Sequence, residues 1–235
     1  MTDASAPFEL PALADLPEPA RRSLAALVGL VSADRSAPSS VRDPDEAWRV
    51  HIADSLTGLE FGELASARTI ADVGAGAGFP GLVLAAALPD AQVSLVEATR
   101  RKCEFMREAI DSAAIANARV VCERSETWAA AEGRESCDAV TARAVGRLST
   151  VAELASPLLV EGGVLLVWKG RRDPDQEAEL EGAADRLAME PAEIRAVGPY
   201  AGSRHRHLHL IRKSGPTPDE LPRRPGLAKK RPLSG

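Results

Sequence analysis

The stretch IADVGAGAGFPG, residues 70–81, decides the fold. It carries two overlapping glycine patterns. Gly76, Gly78 and Gly81 spell G-x-G-x-x-G, the fingerprint of a dinucleotide-binding turn. Gly74, Gly76 and Gly78 spell G-x-G-x-G, with Asp72 just ahead of the first glycine. In both patterns glycine lets backbone approach a cofactor where a side chain would collide. The patterns differ in what the acid does. A pyrophosphate is anionic and is repelled by a carboxylate at Asp72. S-adenosylmethionine has an ammonium and a sulfonium and no phosphate, so the same carboxylate attracts it, directly or through a water. Glu97 closes the next apolar run, where an acid accepts the ribose hydroxyls of either cofactor. Asp72 ahead of the loop favours S-adenosylmethionine over NAD, Glu97 marks a nucleoside without choosing between them, and a purely structural glycine turn is the third reading.

Working outward, residues 68–213 alternate between strand and helix texture. TIADV, QVSLVE, RVVCE, CDAVTARA and GGVLLVWKG read as buried strands, and PGLVLAAAL and RRKCEFMREAIDSA as helices between them. EIRAVGPY and HRHLHLIRK predict a final strand pair, with His205, His207 and His209 alternating along the second. Strands separated by helices imply a mostly parallel sheet covered on both faces. Upstream, Leu24, Leu27, Val28 and Val31 predict an amphipathic helix. Asp43, Pro44 and Glu46 mark the start of a second, with Trp48, Ile52, Leu56 and Leu59 as its apolar stripe. The fold class is therefore α/β, a Rossmann-like doubly wound sheet. The expected organisation is a loose N-terminus over residues 1–17, a helical extension over 18–60, the sheet domain over 61–213 and a flexible tail over 214–235.

Composition narrows the class further. At 235 residues with 45% hydrophobic and 27% charged content, the chain is an ordinary globular protein. No apolar run reaches the ~20 residues that span a bilayer, and the first residues lack the order of a secretion signal. A cytoplasmic monomer is expected. Cys103, Cys122 and Cys137 are widely spaced and read as reduced thiols, without a metal site. Net charge is −5, yet residues 212–235 hold seven Lys/Arg against Asp219 and Glu220, so this end carries +5 and the rest −10. With five prolines in that stretch, it reads as a basic tail that contacts nucleic acid or simply solubilises the chain.

The segments SSVRDPDEAWRVHIADSL (39–56), DVGAGAGFPGLVLA, VTARAVGRLSTV and LLVWKG together resemble the bacterial ribosomal RNA small subunit methyltransferase G family. The resemblance covers roughly residues 20–213. It implies a seven-stranded class I methyltransferase that uses S-adenosylmethionine to methylate N7 of one guanine in 16S rRNA. It implies cofactor contacts at Gly74 and Phe79 in the loop, at Glu97 at the end of the next strand, and at Ser125 and Glu126 beside the adenine; the glycine pattern itself adds Asp72, Gly76 and Gly78. Arg143 is implied at the methyl-transfer pocket. Where the family has an aromatic- and Asn-containing stretch before RDP, this chain has SADRSAPSS.

Guanine N7 presents a lone pair with no hydrogen to remove, so its methylation needs positioning rather than a general base. TARA, with neither D-P-P-Y nor Pro-Cys after the fourth strand, agrees with that chemistry. Arg143, Lys169, His51 and Asp54 are the candidates for positioning substrate, with Ser55 beside them. Each has a structural alternative: an ion pair for Arg143, a solvated strand end for Lys169, a helix-surface cluster for the others. Arg100, Arg101 and Lys102 open a helix against its dipole, which suits either RNA contact or a solvated charge run. The partners expected are 16S rRNA or an assembly intermediate of the small subunit. Methylation of a small molecule or protein, and an NAD-linked oxidoreductase or nucleotide-binding module, are the competing functions.

Overall fold

A computed structural model describes residues 11–233. Seven strands form one sheet: β1 Thr69–Val73, β2 Gln92–Val96, β3 Ala118–Val121, β4 Cys137–Arg143, β5 Leu159–Lys169, β6 Met189–Ala196 and β7 His207–Lys213. Their order is β3-β2-β1-β4-β5-β7-β6. Strands β1 to β5 are mutually parallel, with Ile70 of β1 between Val93 and Ala139. β7 runs antiparallel to both of its neighbours. The chain runs outward from β1 to β2 and β3 and returns to β4 on the other side of β1, the switch point outside which such sheets bind ligands.

The pleat sorts the sheet's side chains into two cores. Ile70, Leu166, Trp168 and Leu210 face one; Ala71, Val73, Leu165 and Ile211 face the other. The helices Glu18–Ala33, Gly81–Ala87 and Arg100–Ser112 cover the first core, together with the helical run 44–60. The second lies under the helices Leu148–Ala155 and Pro174–Leu187. Residues 174–187 have no helix in the sequence reading, although Asp173–Pro174 repeats the Asp43–Pro44 start. The Asp173 carboxylate accepts the Gln176 amide as a cap.

The helical extension forms from the expected residues. Leu24, Leu27, Val28 and Val31 are buried. The Asp43 carboxylate accepts the Glu46 amide at 2.8 Å, with Pro44 at the first helical position. The run then widens into a π-helical turn, Trp48–Ala53, a feature common at functional sites. Trp48, Ile52 and Leu56 are buried while Leu59 is half-buried. Trp168 fixes this run to the sheet. Its indole N–H donates to the Asp54 carbonyl at 2.8 Å, and its ring fills the space a Cβ at Gly58 would enter at 2.6 Å.

Four expectations need correction. Residues 1–10 of the expected loose N-terminus lie outside the described residues, but Pro11–Ala14 form a helical turn that buries Leu13. The C-terminal segment is packed rather than flexible: Leu221 and Leu233 belong to the second core, and Arg223 pairs with the buried Glu153. Its charge and prolines outweigh, in a linear reading, the few apolar anchors that hold it. His205 precedes β7 in a turn with φ of 54°, so β7 carries only His207 and His209. Cys103 and Cys122 are joined as a disulfide with Cα atoms 5.8 Å apart. They lie 19 positions apart in sequence, but β3 lies beside β2, whose end leads into the helix bearing Cys103. Cys137 is free and buried on β4.

Trp168→Phe keeps an aromatic ring in the core and deletes the indole donor. The Asp54 carbonyl keeps the Thr57 hydroxyl as a donor at 2.6 Å, so losing the indole bond is expected to cost about 1 kcal/mol, read by urea unfolding. Unchanged stability would show that the bond does not hold the helical run.

Candidate cofactor and acceptor cleft

The loop between β1 and the helix Gly81–Ala87 turns tightly because Gly74 adopts a φ of +69°. A Cβ there would meet the Val145 side chain at 2.9 Å. The Gly74 amide donates to Val96 of β2 at 2.8 Å, and the Gly78 amide to Ala75 at 2.7 Å. Glu97, just past β2, accepts the Thr99 amide at 2.8 Å and the Gly76 amide at 3.3 Å. Lys102 lies 3.4 Å away. Burial raises the Glu97 pKa, but the bonds from Thr99 and the charge of Lys102 outweigh it and hold the carboxyl below its ordinary value.

Two cavities meet at Gly74. The smaller, about 190 Å³, is bounded by Val73, Glu97, Ser125 and Glu126. Ser125 donates to Glu126 at 3.3 Å, so the two act as one polar edge. The larger, about 490 Å³, contains Gly76, Phe79, His51, Asp54 and Arg143. A narrow glycine turn thus separates a nucleoside-sized lobe from an open one. A cofactor with an adenosine end and a reactive end fits this pair of lobes.

The open lobe is built by the helical run, the glycine loop and the end of β4. The rings of His51 and Phe79 stack at 4.4 Å with 3° between their planes. Arg143 lies over the Phe79 ring at 5.9 Å and donates to the Val50 carbonyl at 2.9 Å. It also pairs with Asp54 at 3.1 Å. Asp54 is buried, and Arg206 approaches its other oxygen at 3.7 Å. Two guanidiniums around one carboxylate leave the lobe net positive. Burial and the neighbouring Arg143 charge push the His51 pKa down to about 4, so its imidazole is neutral at physiological pH. Arg143 only donates, so it points at Nδ1 as acceptor, 3.4 Å away, and the Nε2 proton faces the Ser39 hydroxyl at 2.9 Å.

Several expected residues are elsewhere. Asp72 does not line the cleft. It is fully buried, accepting the Gly81 amide at 2.9 Å and the Thr141 hydroxyl at 3.0 Å. The pleat of β1 directs it beneath the loop, where the alternation hidden in five residues places it. Its bond occupies the amide at the helix start, a group a pyrophosphate needs, so the sequence argument survives on different grounds. Burial raises the Asp72 pKa to about 6, against the lowering effect of those two bonds. Lys169 also lies outside the cleft, donating to Gly146 at 2.7 Å and Gln176 at 3.0 Å. Ser55 is buried and donates to the His51 carbonyl. Arg100 pairs with Glu104 and Arg101 with the Ser36 carbonyl, while Lys102 reaches the cleft rim. His209 is buried, its pKa lowered to about 4 by burial, and His207 bonds Gly170. No cluster of metal-ligating side chains occurs among the described residues.

Arg206 and Ser39 were not anticipated. Ser39 lies in SADRSAPSS, and Arg206 in a run where the flanking histidines draw attention; only their spatial convergence marks them.

The sheet order, the antiparallel β7 and a cleft over a glycine turn define a class I methyltransferase. The chain belongs to the rRNA small subunit methyltransferase G family, whose model matches residues 34–209. It is 41% identical to ribosomal RNA small subunit methyltransferase G of Chloroflexus aggregans, covering 85% of this chain and 84% of that one. The Desulfitobacterium hafniense protein of the same name is 35% identical, covering 83% and 81%. Among solved structures, a predicted O-methyltransferase of Agrobacterium tumefaciens superposes with a TM-score of 0.54 at 27% identity, over 70% of this chain and 80% of that one. An S-adenosylmethionine-dependent O-methyltransferase of Thermotoga maritima shares the fold alone, with a TM-score of 0.57 at 15% identity, over 76% and 72%.

The raised Asp72 pKa has a definite sign. Its carboxylate is disfavoured in the folded state, so the penalty is complete above pH 6 and relieved as pH falls toward the unfolded value of 3.8. Wild type should therefore gain on Asp72→Asn by up to about 3 kcal/mol between pH 7 and pH 4, measured by urea unfolding. A constant difference between the two would contradict the buried charge.

Proposed function

We propose that the protein transfers a methyl group from S-adenosylmethionine to N7 of a guanine in small-subunit (16S) rRNA. The observation that carries this reading is the junction of the two lobes at Gly74. Glu97 would hold the ribose hydroxyls, and Ser125 with Glu126 the adenine. The glycine turn at Gly74, Gly76 and Gly78 would leave room for the chain bearing the sulfonium. When bound, the cofactor supplies an electrophilic methyl group. The protein's own residues then have to present a base to it.

His51, stacked on the buried Phe79, offers an aromatic ring at the open lobe, suited to a base drawn out of its helix. Arg143 and Arg206 supply donors for the guanine O6 edge or a flanking phosphate. Asp54 holds both guanidiniums in place through its two carboxylate oxygens. No proton leaves N7, and the neutral His51 has none to collect. The helical extension, residues 18–60, contributes His51 and Asp54, while the domain over residues 61–213 contributes the glycine loop and Arg143.

In a strain deleted for the gene, small-subunit RNA should lose one N7-methylguanine, and the wild-type chain should restore it. Persistence of every such methyl group would end the rRNA reading. Gly74→Asp places a charged side chain against Val145 and in the cofactor's path. Calorimetry with S-adenosylmethionine should show binding to wild type and none to this variant, and NAD should bind neither. Arg206→Ala should reduce kcat/KM for naked small-subunit RNA about tenfold, a loss of ~1.4 kcal/mol, with cofactor affinity unchanged. An unaltered kcat/KM would take Arg206 out of the RNA contact.

A further inference from the structure

We propose that residues 221–233 form one wall of the nucleoside lobe and hold Glu126 in place, making the C-terminal segment part of the cofactor site. The proposal rests on the reading of that lobe as the adenosine pocket. Composition alone presents this segment as a basic tail outside the folded domain. The structure gives it a sequence of anchors instead.

Leu221 and Leu233, at 2% and 5% exposure, are embedded in the second core and fix both ends of the segment. The Arg134 guanidinium donates to the Leu221 carbonyl at 3.2 Å. Arg223 reaches Glu153 at 2.6 Å and also donates to the Arg231 carbonyl at 2.7 Å, so one side chain ties the segment to the helix Leu148–Ala155 and to itself. Glu153 is 3% exposed, and a buried carboxylate with its countercharge in this segment commits the segment to that position.

Between these anchors the backbone crosses the lobe. Gly226, Ala228 and Lys229 line it together with Glu97 and Ser125. The Gly226 amide donates to Glu126 at 2.6 Å. Glu126 thus has one oxygen on Ser125 and the other on the C-terminal segment, and its orientation toward an adenine depends on both. Gly226 has a φ of +80°, while a Cβ there meets nothing within 4 Å. A substitution at this position therefore acts through the backbone and the amide, not through a clash with the core.

The test uses adenosine, which fills the lobe without any methyl transfer. Gly226→Pro deletes the amide that holds Glu126 and should weaken adenosine binding at least tenfold by calorimetry. Truncation after Ser214 should weaken it as much or more. In wild type, adenosine should slow tryptic cleavage after the exposed Lys229 and Lys230 severalfold. If truncation prevents folding, the proline variant and the cleavage rates still decide. Adenosine affinity within twofold of wild type in Gly226→Pro, or cleavage indifferent to adenosine, would overturn the proposal. Failure of the unaltered chain to bind either adenosine or S-adenosylmethionine would instead defeat the reading of the pocket itself.

Discussion

A buried carboxylate underlies the site. Asp72 sits on β1, accepts the first amide of the helix Gly81–Ala87 and accepts the hydroxyl of Thr141 on β4. These bonds join the central strand, its neighbour and the helix that follows the glycine turn. Gly81 permits the close approach, since a Cβ there would lie 2.9 Å from Asp72 and 2.3 Å from Leu95. Taking a carboxylate out of water is costly unless its lone pairs are met, and here they are met by groups that themselves need an acceptor. The turn between strand and helix is thereby held in the shape that opens lobes on both sides of Gly74.

The open lobe depends on a second buried acid with the opposite role. Asp54 is surrounded by Arg143 and Arg206, and its carbonyl receives the Trp168 indole proton. The helical run is thus anchored to β4 and β5 through Asp54. A desolvated carboxylate between two guanidiniums lets positive charge gather in the lobe at less cost than two unpaired cations would incur. Burial also keeps His51 neutral, so the lobe presents a stacking surface and donors without a titrating base. This suits an acceptor nitrogen that carries no proton.

The sequence made the architecture readable because strand and helix alternation over residues 68–213 is strongly periodic. The cap at Asp43, the stripe of the helical run and the acid at Glu97 were legible for the same local reason. Asp72 shows where local reading falters. Its proximity to the glycines suggested contact with a ligand, but alternate strand residues point in opposite directions, and this one points inward. Lys169 ends a buried strand as expected, yet Gly146 and Gln176, brought beside it by the fold, take its ammonium. Family likeness supplied Ser125, Glu126 and Phe79, which no spacing rule singles out.

By itself the sequence determined a doubly wound sheet with a glycine turn built for close backbone approach, because periodicity and turn chemistry are properties of neighbouring residues. Only the tertiary structure decided that His51, Asp54, Arg143 and Arg206, scattered over 156 positions, share one lobe. It alone decided that Cys103 meets Cys122 and that a proline-rich basic end folds back over the smaller lobe. Those outcomes depend on which strands become neighbours and which faces they bury, and no local pattern encodes a contact between distant segments.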